Sequence, residues 1–140
     1  MTGDSNTLAI MLFSEILGTD QILRNRLPKG MEISHFSVLN HLAWREVERS
    51  PAQLAETFHV TRGAMTNTLA KLEWAGYIHV RPDWDDARRK MVAISPAGRQ
   101  AREAALGAIA PMITQVVEQL GEDKARAALP ILRELRNQLG

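Results

Sequence analysis

The stretch SPAQLAETFHVTRGAMTNTLAKLEWAGYIHV, residues 50–80, decides the fold. Ser50-Pro51-Ala52-Gln53 is a helix start: serine caps, proline suits the first helical position, and a glutamine at the third closes a capping box. The helix it opens is short and ends near Phe58. His59-Val60 makes a tight turn, Thr61 caps a second helix, and Val60 and Met65 stand at the hydrophobic-staple positions around that cap. Gly76 supplies the left-handed exit. Two helices joined by so short a turn are a helix-turn-helix.

Beyond Gly76 the hydrophobic period changes from 3.6 to 2. Ile78 and Val80 alternate with His79 and Arg81, then Val92 and Ile94 with Met91 and Ala93, which predicts two strands. The polar run Pro82-Asp83-Trp84-Asp85-Asp86-Ala87-Arg88-Arg89 between them is a hairpin tip. Upstream, Leu8, Leu12, Ile16, Thr19 and Leu23 predict a helix over 8–26, stopped by Leu27-Pro28-Lys29-Gly30. Ser34, with Ile33 before it and Val38 four residues inside, predicts the cap of a helix over about 35–47. Downstream, Ser95-Pro96 repeats the serine-proline start and opens an alanine-rich helix faced by Ala101, Ala105, Ala108, Met112, Val116 and Leu120. Gly121 ends it, and a last helix over about 123–139 carries Leu129, Leu132, Leu135 and Leu139. Pro111 and Pro130 fall inside these two patterns and predict bent helices.

The expected fold is therefore mainly α with a small β-hairpin wing. A winged helix-turn-helix lobe over about 33–94 is joined to N- and C-terminal dimerisation helices over about 8–30 and 96–139, all in one domain. The terminal helices are apolar with little else in the chain to cover them. An intramolecular bundle is one solution. A second copy is the better one, because the winged segment is already a compact unit.

Composition narrows the function by exclusion. The chain has 140 residues, 45% hydrophobic and 24% charged, the balance of an ordinary globular domain. It has no cysteine, which removes disulfides and thiolate chemistry together. No apolar run approaches the ~20 residues that span a bilayer, and Met1–Thr7 shows no basic leader before an apolar core. The expectation is a cytoplasmic protein with no membrane partner. Histidines 35, 41, 59 and 79 include no pair four residues apart, so no metal and no cofactor is expected. With no Gly-x-Ser-x-Gly elbow, P-loop or Gly-x-Gly-x-x-Gly, nothing points to an enzyme.

Gln53-Leu54-Ala55, the run Val60 to Asn67, Leu69-Ala70-Lys71-Leu72-Glu73, Gly76-Tyr77-Ile78 and Arg81 resemble the MarR family of regulators. Asp86-Ala87-Arg88-Arg89-Lys90, followed by Val92 to Gly98, resembles that family's wing and the start of its long dimer helix. The resemblance covers nearly the whole chain. It implies a triangular homodimer whose terminal helices interlock, two winged lobes on a palindrome of double-stranded DNA, and release by a small molecule in many members. It also implies that Arg88 enters the minor groove and that Asp86 orients it through a salt bridge.

On that footing the helix from Thr61 to Ala75 lies in the major groove. Arg62 can read guanine, Asn67 adenine and the Thr66 methyl thymine, with Thr61 capping and touching phosphate. Ala64 and Gly63 are small enough for close approach, and Lys71 can reach a phosphate. Arg62, Lys71, Arg81, Arg88, Arg89 and Lys90 outnumber Glu73, Asp83, Asp85 and Asp86 by two. Net charge of +1 gives the whole chain little pull on nucleic acid, so local placement carries the case. Trp84 at the tip either folds back on the wing or packs against a sugar-phosphate edge, and the first is the expectation. A small aromatic or anionic effector would sit between lobe and dimer helices, near Phe13, Ile16, Met31, Phe36, Leu39, Trp44 and Trp74, most of them expected in the core. The competing reading is a winged-helix module that binds a protein and has lost strong DNA affinity.

Overall fold

The computed structural model describes residues 2–140. Helices α1 (Thr2–Arg26), α2 (Ile33–Arg45), α3 (Pro51–Thr57) and α4 (Arg62–Trp74) precede strands β1 (Ile78–Pro82) and β2 (Lys90–Ile94). Helices α5 (Pro96–Leu120) and α6 (Glu122–Leu139) follow. The fold is mainly helical with one small wing, as expected.

Local capping chemistry explains most boundaries. The Ser50 hydroxyl accepts from Gln53 N–H at 3.2 Å while Gln53 Oε1 accepts from Ser50 N–H at 2.9 Å, a closed capping box. Thr61 accepts from Ala64 N–H at 3.1 Å. Between them His59 takes a left-handed φ of 55°, and His59 N–H and Val60 N–H bond back to Glu56 and Ala55 carbonyls. Gly76 repeats this exit after α4 at φ 79°, with Gly76 N–H on Glu73 O and Tyr77 N–H on Leu72 O.

One cap differs from expectation. Helix α2 starts at Ile33 with Glu32, not Ser34, as its N-cap. His35 Nδ1 accepts from Glu32 N–H at 3.4 Å, so the imidazole does the reciprocal work that a glutamine does in α3. The first helix also begins earlier than residue 8. Pro111 and Pro130 sit inside continuous helices and break neither.

The core belongs to the winged lobe. Val38, Leu39, Leu42, Leu54, Leu72 and Val92 are fully buried, and α4 turns Met65, Leu69 and Leu72 inward. The hairpin pairs Ile78 with Ile94 and Val80 with Val92. Beside the hairpin, Arg49 forms an isolated β-bridge, exchanging backbone hydrogen bonds with Val92 at 3.0 and 2.7 Å.

Ser95 joins this lobe to the long helix. Its hydroxyl donates to Gly76 O at 2.6 Å and accepts from Gly98 N–H at 3.0 Å, while its own N–H bonds Tyr77 O. Gly98 lies so close to the Tyr77 carbonyl that no Cβ fits. Further along, Arg102 Nε donates to Asn40 Oδ1 at 3.0 Å, tying α5 to α2.

Outside the lobe little is buried. No residue of α6 is buried, and Leu8, Ile10, Met11 and Leu17 of α1 are exposed, as are Val116, Leu120, Leu129 and Ile131.

Candidate nucleic-acid interface

The N-terminal half of α4 and the tip of the β1–β2 hairpin form the candidate surface. With Met65, Leu69 and Leu72 against the core, helical geometry turns Thr66 and Asn67 aside from it, Arg62 stands at the first position of the helix, and all three are exposed. Gly63 and Ala64 are exposed beside them, leaving a low surface on which a groove wall can approach. The Thr61 hydroxyl oxygen accepts the cap bond, its own O–H remaining a donor, and the residue aims the helix N-terminus, where backbone N–H groups favour an anion.

The hairpin tip is tightly bonded. Asp83 N–H donates to Arg89 O and Arg89 N–H to Asp86 O, both at 2.9 Å. Asp85 N–H donates to Asp83 Oδ1 at 3.0 Å. Asp86 Oδ1 accepts from Arg88 N–H at 3.0 Å and from Arg88 Nε at 3.2 Å. These two bonds, the side-chain one foremost, hold the Asp86 carboxyl below its ordinary pKa. The Arg88 side chain nonetheless stays 91% exposed. It is oriented and uncovered, the arrangement a groove-entering arginine needs.

The remaining basic residues divide into two groups. Arg62 and Lys90 are exposed and make no ion pair among the described residues, while Arg89 is held loosely at 3.7 Å from Asp83. Lys71 and Arg81, expected on the DNA side, also have partners within the chain. Lys71 Nζ lies 3.8 Å from Glu32 Oε1, strapping α4 to the start of α2. Arg81 donates from Nε and Nη2 to both oxygens of Glu48 at 2.8 Å and from Nη1 to Pro82 O at 2.8 Å. The Glu48 hydrogen bond raises the Arg81 pKa above its ordinary value. Glu48 precedes α3, and no local pattern in the sequence signals this brace.

Trp84 does not bury itself on the wing. Its ring centroid lies 4.6 Å from the Arg81 guanidinium carbon, yet the residue is 82% exposed. Trp44 and Trp74 are exposed as well, outside the expected core, and Leu39 is fully buried. Phe13 and Ile16, with His59, Leu132, Leu135, Arg136 and Leu139, line a cavity of about 350 Å³ between α1, α6 and the α3–α4 turn. Met31 lines a separate hollow with His35, Lys71 and Tyr77. Among the described residues no group of acidic or histidine side chains could hold a metal ion, and no helix is long and apolar enough to cross a membrane.

A capped helix-turn-helix, a bonded wing and an outward-facing second helix define a winged helix-turn-helix protein of the DNA-binding class. Residues 29–89 match the MarR family model. The transcriptional regulator BldR from Sulfolobus solfataricus is 27% identical, with a TM-score of 0.75 over 94% of this chain and 96% of that one. A mutant MarR from E. coli, solved with operator DNA, is 20% identical at a TM-score of 0.78, covering 92% and 93%. PcaV from Streptomyces coelicolor, solved with its natural ligand, is 18% identical at 0.80, covering 92% of each chain. The last two are likenesses of fold. No curated relative matches by sequence.

Proposed function

We propose that the chain is a homodimeric transcriptional repressor that binds a palindromic operator and is released by a small aromatic or anionic effector. The observation that carries the DNA reading is the pairing of an exposed Arg62–Thr66–Asn67 face with Arg88 oriented on a bonded wing. In this reading Arg62, Thr66 and Asn67 read base edges in the major groove. Thr61 and Ala64 bring the helix N-terminus against phosphate, and Arg88, oriented by Asp86, occupies the minor groove. Arg89 and Lys90 add charge along the backbone. Lys71 and Arg81 act from within, holding α4 and the wing in place.

The dimer reading rests on surface. The chain exposes 10243 Å², whereas a compact monomer of 15.6 kDa exposes roughly 7,200 Å². The excess lies on α1, distal α5 and α6, whose apolar residues face outward. A second copy would cover them, leaving residues 33–94 as the reading lobe and 8–30 with 96–139 as the dimer helices. The cavity bounded by Phe13, Ile16 and Arg136 has the size and polarity for a small aromatic acid, with the guanidinium for its carboxylate and His59 linking it to the helix-turn-helix turn.

A salt titration of duplex binding tests the proposal. Affinity should fall steeply as salt rises, with log K linear in log salt. The alternative, a protein-interaction module, draws support from the net charge of +1 and predicts no duplex binding at low salt.

A further inference from the structure

We propose that Trp84 is a second, apolar contact of the wing with duplex DNA, its outer face packing on deoxyribose rings beside the groove that Arg88 enters. The proposal rests on the duplex-binding reading above. Three observations carry it.

The ring is held out, not left loose. Its inner side is met by the Arg81 guanidinium at 4.6 Å, and that guanidinium is fixed by both oxygens of Glu48 and by Pro82 O, all at 2.8 Å. The Glu48–Arg81–Trp84 stack therefore runs from the loop before α3 to the wing tip. A cation under one face leaves the other free for a flat apolar partner.

The ring also leaves the same closed loop as Arg88. Asp83 N–H on Arg89 O, Asp85 N–H on Asp83 Oδ1 and Arg88 N–H on Asp86 Oδ1 fix the backbone on either side. Docking such a loop orders little, so the contact retains most of its gross energy.

Finally, charge alone gives this wing little hold. Residues 81–90 carry Arg81, Arg88, Arg89 and Lys90 against Asp83, Asp85 and Asp86, one positive charge in excess, and Glu48 offsets that one. The sugar edges of a duplex present C–H surface between phosphates, and an indole offers apolar area together with an N–H for the neighbouring oxygen. Proteins that bind the minor groove do use apolar side chains there, although as wedges between base steps, which shows that apolar contact can add to charge at that surface.

The test uses Trp44→Phe/Trp74→Phe, in which Trp84 is the sole remaining tryptophan. Both replaced residues are exposed, so the fold should persist. Binding of a fluorescein-labelled mixed-sequence duplex is followed by anisotropy, and Trp84 by its emission and acrylamide quenching. Protection of Trp84 from acrylamide at saturation supports the contact. Saturated anisotropy with unchanged emission and quenching overturns it while leaving duplex binding intact. In the otherwise natural chain, Trp84→Ala should weaken binding about fivefold or more without altering the salt slope, and Trp84→Phe should retain most of the affinity. An unchanged affinity for Trp84→Ala, or a reduced slope, also overturns it. Absence of any anisotropy change overturns the duplex-binding reading itself, and this proposal with it.

Discussion

Asp86 and Arg88 are a bonded pair at the wing tip, the carboxylate accepting from Arg88 N–H and Nε, and the proposed role of Arg88 in the groove can be tested directly. Arg88→Ala should lower operator affinity by about fivefold or more, the worth of one good groove contact. It should also reduce the salt slope by about one, which a titration of labelled duplex would show. An unaltered affinity would remove the wing from the interface. The two interior histidines behave differently. Burial, with Arg49 and Arg45 adding to it, lowers the pKa of His41, and burial lowers that of His35 against the opposing pull of Glu32. His41 Nε2 is buried without a hydrogen-bond partner among the described residues, and its ring meets Phe58 edge-on at 5.6 Å. The unfolded chain binds protons on these imidazoles from about pH 6.5 downward, before the folded one does. Their contribution to stability is therefore complete above about pH 6.5 and is lost as pH falls toward the lower folded values. Thermal unfolding should shift down between about pH 7.5 and 5.5, and His41→Phe should show a smaller shift. If that variant loses as much as the parent, His41 is not a source of the effect.

At the scale of elements, the caps were legible in the sequence because a cap is a local device. Ser50, Thr61 and Ser95 each bond a backbone N–H three residues on, and Gly76 ends α4 by its own φ. Thr66 and Asn67 lie off the stripe of Met65, Leu69 and Leu72, whereas Arg62 shares that stripe and is exposed at the first position of the helix. What stayed hidden depends on distant pairing. Arg81 meets Glu48 from 33 residues away, Lys71 meets Glu32 from the other end of the lobe, and Arg49 pairs with Val92. The Glu32 cap escapes a sequence reading because a histidine closes it. The seam between α4 and α5 provides a sharp test. Gly98→Ala places a methyl against the Tyr77 carbonyl, which is backbone and held by Ser95 N–H. It should destabilise the fold by about 1–3 kcal/mol, measured by urea unfolding. A neutral result would mean that α5 shifts freely on the lobe.

For the whole molecule, the decisive features are the exposed apolar helices and the separation they would impose between two reading lobes. Leu17 on α1 and Ile131 on α6 are both more than half exposed, so Leu17→Glu or Ile131→Glu costs the single chain little. Light scattering should give twice 15.6 kDa for the parent and a lower mass for these variants, with operator affinity falling in step. A parent that stays at 15.6 kDa would instead favour closure of these helices within one chain. Operator recognition then depends on two lobes reading one duplex, and selection of bound sequences from a random duplex pool measures that directly. The prediction is a palindrome whose half-site centres lie about one helical turn apart, ~34–36 Å, or a multiple of it. Recovery of unrelated sequences, or of a single unpaired half-site, would contradict it.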